Sequence, residues 1–180
     1  MKLLAIESTG AMASVAMIDE QGNVIVQRSE QTMNHLQHLI PMIQQLLTNC
    51  ESTMDDITGI LVSEGPGSFT GIRIGMATAK ALAQVKQLPV AAVPTLRSFA
   101  YHKIEENIVV CPVFDARRDQ IYAGAYVWQR AAVDAAGAEA NANANAFQPR
   151  QLVADGAYGL QAFLSAVKTA IFDLEMELKA

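Results

Sequence analysis

The sequence is poor in the residues that usually announce a site. It has two cysteines in 180 residues, Cys50 and Cys111, too far apart for a CxxC pair. That argues against a disulfide framework and a cysteine-based zinc ribbon, and makes two reduced thiols in a cytoplasmic protein the expectation. Basic residues are outnumbered, 13 Lys and Arg against 18 Asp and Glu, for a formal net charge of −5. A surface of that sign argues against a stand-alone nucleic-acid binder, though not against a helper whose partner touches the nucleic acid. Long apolar runs are missing as well. After Lys2 the run LLAI stops at Glu7, short of a secretory core, and no stretch approaches the ~18 apolar residues of a membrane span. The three histidines spell no HExxH, and no third ligand accompanies the pair His35 and His38, so no metal site is expected. No Ser/His/Asp order suggests an activated nucleophile.

What is present is core-forming material. Apolar residues make up 51% and charged residues 17%, a balance that favours a packed domain over disorder. Residues 2–8 (KLLAIES), 13–18 (ASVAMI) and 24–28 (VIVQR) are short apolar runs, and DEQGN between the last two is a hairpin turn. They predict an antiparallel meander. The period then changes: Leu36, Leu39, Ile40, Ile43, Leu46 and Leu47 recur at helical spacing, with Thr32 or Asn34 as cap and Pro41 as a kink. Residues 57–63 predict a strand, 71–86 a helix capped by Thr70, 89–93 a strand and 95–102 a helix. The charged joint KIEEN at 103–107 predicts a boundary, giving lobes 1–104 and 105–180. The second lobe restarts with two strands, 108–114 and 121–128, around the turn DARRDQ. A low-complexity Ala/Asn-rich segment follows at 131–146, then an amphipathic helix over 163–178. This order fits the duplicated α/β lobes of the actin, hexokinase and Hsp70 class: a mixed sheet with a three-strand meander, flanked by helices.

Three stretches are candidates for chemistry. The loop Gly65, Pro66, Gly67, Ser68, Phe69, Thr70 runs into a helix, as phosphate cradles do. It carries neither GxxxxGK[ST], since Ile72 stands at the lysine position, nor GxGxxG. The helix after it sets Gly71, Gly75, Ala79 and Ala83 four apart on one face. That smooth seam serves either packing on the sheet or a helix–helix subunit interface. The two uses are compatible if Ile74, Leu82 and Val85 face the sheet and the seam faces outward. The turn Glu7, Ser8, Thr9, Gly10 offers an acid and hydroxyls to a nucleotide phosphate, or is an ordinary turn; Ser8 stands where glycine would admit a phosphate. In the second lobe, Asp115 and Arg117 with Tyr122 either solvate a hairpin end or pair with an anionic partner.

Taken in order, LLAIEST, then His35, Leu39, Pro41 and Ile43 as HxxxLxPxI, then GPGSFTGIRIG, PTL at 94–96 and DARRDQIY resemble one family over about residues 1–127. It is the bacterial YeaZ/TsaB type, the non-catalytic scaffold subunit of tRNA threonylcarbamoyladenosine synthase. The resemblance implies two actin-like lobes. It also implies a role in moving a threonylcarbamoyl group onto N6 of the adenosine next to the anticodon, in tRNAs that read codons beginning with A. The chain would act by pairing with the larger catalytic TsaD-type paralogue, together with a TsaE-type ATPase, and would meet tRNA only through that complex. His35, Leu39 and Ile43 from one helix and Gly71, Ile72, Gly75, Met76, Ala79 and Ala83 from the other are the expected interface. The same surface gives a homodimer when the partner is missing. ATP and metal belong to the partner subunits; this chain carries no cofactor of its own. The paralogue's HxxxH has no counterpart here, because His35 and His38 are one residue too close, so no catalytic residue is carried over. The resemblance fades after residue 127, which implies a second lobe that is short, incomplete or divergent. Two other classes stand beside this reading: an independent actin-class ATPase or kinase with Glu7, Ser8 and Thr9 at the phosphates, and a metallopeptidase.

Overall fold

Alternation in the first strands decides where the core forms. In β1 (Lys2–Glu7) Leu4 and Ile6 are buried, and in β2 (Ser14–Asp19) so are Val15 and Met17. The antiparallel register sets Leu4 opposite Met17 and Ile6 opposite Val15, so all four share one face. A computed structural model describes residues 1–29, 35–130 and 147–177, without the side chains of 35–37 and 130. The Ala/Asn-rich segment 131–146 and the cap candidates Thr32 and Asn34 lie outside the described residues.

The chain divides into two units, Met1–Thr95 and Leu96–Ala180. In the first, the meander β1, β2 and β3 (Val24–Arg28) is followed by α1 (His35–Asn49), β4 (Gly59–Gly65), α2 (Phe69–Lys86) and β5 (Val90–Pro94). The sheet order is β3-β2-β1-β4-β5, with β1, β4 and β5 parallel and the meander antiparallel. This is the actin-like α/β arrangement that the order of elements predicts. Parallel pairing puts Ile60 beside Leu4 and Val62 beside Ile6, which extends the apolar patch. Onto it α1 lays Leu39, Met42, Ile43, Leu46 and Leu47, and α2 lays Ala79 and Ala83. Each large side chain so buried contributes about 1.5–3 kcal/mol. Pro41 sits inside α1 on its exposed side, where the missing amide disturbs no packing.

The second unit is built around one long strand. After α3 (Thr95–Ala100) come β6 (Val109–Val110), β7 (Val113–Arg117) and β8 (Gln120–Arg130). β7 and β6 pair with successive parts of β8, and β9 (Phe147–Gly159) runs antiparallel along it. α4 (Leu160–Glu177) covers Ala123, Ala125 and Val153 with Phe163. β9 has no counterpart in the sequence reading. Pro149, Gly156 and a polar, non-alternating run hide it, and they are tolerated because, among the described residues, it pairs with β8 alone. The division falls between Thr95 and Leu96, earlier than the charged segment 103–107. Leu96 and Ala100 cluster with Tyr126, which draws α3 into the second unit.

Candidate functional site

The two glycine- and hydroxyl-rich stretches meet. β1 and β4 run parallel, so the turn after Glu7 and the loop after Gly65 leave the sheet at the same end. The Ser68 amide donates to the Thr9 carbonyl at 2.7 Å, and the Ser8 hydroxyl donates to the Gly71 carbonyl at 2.8 Å. Ser8 and Thr9 are buried. The glycines make this approach possible. A methyl group at Gly67 would overlap the Thr9 carbonyl, one at Gly71 the Ser8 carbonyl, and one at Gly75 the Ser8 hydroxyl. Gly65 has φ +103°, which favours glycine on its own account.

Several of the donors that a phosphate would use are already engaged. The Gly71 amide donates to Ser68 Oγ at 3.2 Å, and the Ile72 amide to the Ser68 carbonyl at 2.8 Å. The Thr9 amide and hydroxyl both donate to the Glu7 carboxylate, at 2.5 and 2.6 Å, and the Ser63 hydroxyl donates to its other oxygen. Ser68, not Thr70, is the N-cap of α2, and the helix starts at Phe69, two residues before the expected Gly71. The reason is local: Ser68 is the last residue with non-helical backbone, so its hydroxyl is the one that reaches back to an N–H of the first turn.

The seam Gly71, Gly75, Ala79 and Ala83 faces inward, which corrects the expectation that it faces outward to a partner. Gly71 and Gly75 abut Ser8, the first residue after β1, and Ala79 and Ala83 belong to the core. Val85 points the other way and is 78% exposed. Leu39 and Ile43, also expected at an interface, are core residues of α1. Ile72 and Met76 are half-buried, and the side chain of His35 lies outside the described ones. Among the described side chains, the large apolar ones that α1 and α2 show to solvent are Ile40, Phe69 and Val85, with the Arg73 guanidinium 5.4 Å from the centre of the Phe69 ring. The outward signal was there in Phe69, four residues before an arginine at the start of a helix.

In the second unit, Asp115 accepts from the Arg117 amide at 2.7 Å, and Arg117, Arg118 and Asp119 all have positive φ. The hairpin turn is therefore tight, with the two guanidiniums exposed. Tyr122 lies in β8 opposite Phe114. Burial pushes the Cys50 thiol up, away from a ready thiolate. Among the described residues, no three His, Cys, Asp or Glu side chains gather as metal ligands, and no helix is long and apolar enough to cross a membrane.

Residues 21–175 match the family model of TsaD, the tRNA N6-adenosine threonylcarbamoyltransferase. The chain belongs to the TsaD family. Within the TsaD family it is of the TsaB/YeaZ type. It is 33% identical over 129 residues to the tRNA threonylcarbamoyladenosine biosynthesis protein TsaB of Bacillus subtilis, a match covering 72% of this chain and 56% of that protein. With Escherichia coli TsaB it shares 34% identity over 128 residues, 70% of this chain and 55% of that one. Among solved structures, YeaZ from Pseudomonas aeruginosa superposes with a TM-score of 0.70 at 27% identity, covering 88% of this chain and 66% of that one. The chain thus spans a little over half the length of these curated TsaB relatives.

Proposed function

We propose that this chain is a scaffold and activator subunit for threonylcarbamoyl transfer to N6 of the adenosine next to the anticodon, in tRNAs reading codons that begin with A. It works by pairing with a catalytic TsaD-type paralogue, with a TsaE-type ATPase completing the assembly. The observation that carries this reading is the similarity to TsaB proteins of two bacteria, seated on an actin-like unit in which the Thr9 amide and hydroxyl of the phosphate-type turn are engaged by Glu7. ATP and metal then belong to the partner subunits, and tRNA is met through the complex in the cytoplasm. A net charge of −5 suits a subunit that leaves the phosphate backbone to others.

The seam cannot be the docking surface, because it is covered by Ser8 and Ile6 and packs into the core. The surface left to a partner is the outer side of α1 and α2, where Ile40, Phe69 and Val85 are exposed, whereas Met76 packs against the core. Phe69 under Arg73 has the aromatic-plus-guanidinium make-up of an interface anchor. The same side pairs with a second copy when the paralogue is missing. Calorimetric titration of the full chain with the co-expressed paralogue tests this. Phe69→Ala should weaken association by roughly thirtyfold, the loss of an anchor of about 2 kcal/mol, with the melting temperature held within 2 °C. Binding unchanged by both Phe69→Ala and Val85→Asp would refute this surface. Failure of the wild-type chain to bind the paralogue at all would refute the function.

A further inference from the structure

The Glu7 carboxylate occupies the place of a bound anion. One of its oxygens accepts the Thr9 amide at 2.5 Å and the Thr9 hydroxyl at 2.6 Å, and the other accepts the Ser63 hydroxyl. A backbone amide and two hydroxyls converging on a two-oxygen anion are the donor set that a small free oxyanion uses. The set is held rigidly. Thr9 is 5% exposed, its carbonyl is fixed by the Ser68 amide, and its hydroxyl oxygen lies 3.4 Å from that of Thr95. It is also reachable. Glu7 and Ser63 line a hollow of about 270 Å³ on the sheet, otherwise walled mainly by apolar side chains such as Ala5, Leu61 and Val93.

We propose that Glu7 is a built-in anion: it fills the donors of the turn, so the wild-type protein takes no phosphate there. Its removal leaves a vacancy that a formate, acetate or inorganic phosphate ion enters from the hollow. A second anion beside Glu7 would meet both a like charge and donors already engaged, which is why the site is closed as long as the carboxylate stays. This inference does not depend on the proposed partner. It concerns how an acid at the end of β1 turns a phosphate-type turn into a structural clasp.

The test is chemical rescue of Glu7→Ala in the full chain. Thermal unfolding is followed in about 100 mM formate, acetate, phosphate or chloride at matched ionic strength; with a Kd near 10 mM, formate should raise the melting temperature of the variant by roughly 3–5 °C over chloride. The wild type should respond equally to formate and chloride, and the double variant Glu7→Ala/Ser63→Ala should lose most of the rescue. An equal response of wild type and variant, or no response in either, overturns the proposal. If Glu7→Ala is unfolded in chloride, refolding in formate but not in chloride supports it, and refolding in neither overturns it.

Discussion

Replacing Gly75 by alanine sets two opposed effects against each other. Alanine favours a helix interior over glycine by about 1 kcal/mol. Against that, the new methyl would overlap the Ser8 hydroxyl, which is buried and donates to the Gly71 carbonyl at 2.8 Å. Losing that bond leaves the buried Ser8 hydroxyl unpaired, at about 1–3 kcal/mol, while the Gly71 carbonyl keeps its helical bond, and crowding in a packed seam adds about 1–3 kcal/mol. The net expectation is a loss of about 2 kcal/mol, or roughly 4–8 °C in melting temperature. In a Ser8→Ala background the hydroxyl is gone. The methyl then meets the residue-8 Cβ at 3.5 Å and Ile6 Cγ2 at 3.7 Å, ordinary contacts, so the same substitution should stabilise by up to about 1 kcal/mol. The sign reverses, with a coupling of about 3 kcal/mol, at the upper end for touching residues. Gly71→Ala is the control: its methyl would overlap the backbone carbonyl of Ser8, which no side-chain change relieves, so it destabilises in both backgrounds. Urea unfolding read by far-ultraviolet circular dichroism measures this; the single tryptophan, Trp128, lies in the other unit. An equal effect of Gly75→Ala in both backgrounds would mean that the seam does not rest on Ser8, and the packing argument would fail.

Two further outcomes follow from the caps and the buried polar groups. Ser68→Ala should cost about 1 kcal/mol in chemical denaturation, whereas Thr70→Ala should change stability by less than about 0.5 kcal/mol, since only Ser68 caps α2. Burial, with a hydrogen bond to Asp155, pushes the Tyr126 phenol above its ordinary value. Because the folded-state value is the higher one, the stability it contributes is complete below about pH 10 and is lost as pH rises past it. Ultraviolet titration should show a tyrosine that ionises late, and Tyr126→Phe should remove that step.

Much of the first unit is legible in the residues. Alternation in KLLAIE and SVAMID and the turn DEQGN specify the meander, and the three-to-four spacing of Leu39, Ile43, Leu46 and Leu47 specifies α1, because each pattern is a local property of the backbone period. The motifs that resemble the YeaZ/TsaB type run through the same unit. β9 was not legible: Pro149 and Gly156 remove the signal that a strand normally carries, and the strand exists because β8 offers it an edge. The division into units falls before the charged joint for a similar reason. The charges at 103–107 mark a joint, but Leu96 and Ala100 had already turned to Tyr126, a contact across about thirty residues of chain.

The stretch EGPGSFTGIRIG shows the division most clearly. Its sequence alone determined a sharp turn, a helix and a smooth stripe at steps of four, since glycine conformation and helical periodicity are local. It could not determine what the stripe touches. That was decided by the parallel pairing of β1 with β4, which carries Ser8 and Thr9 onto Gly67, Gly71 and Gly75 from more than fifty residues away. A smooth face is written in neighbouring residues, and its occupant is chosen by whichever distant segment the sheet brings against it.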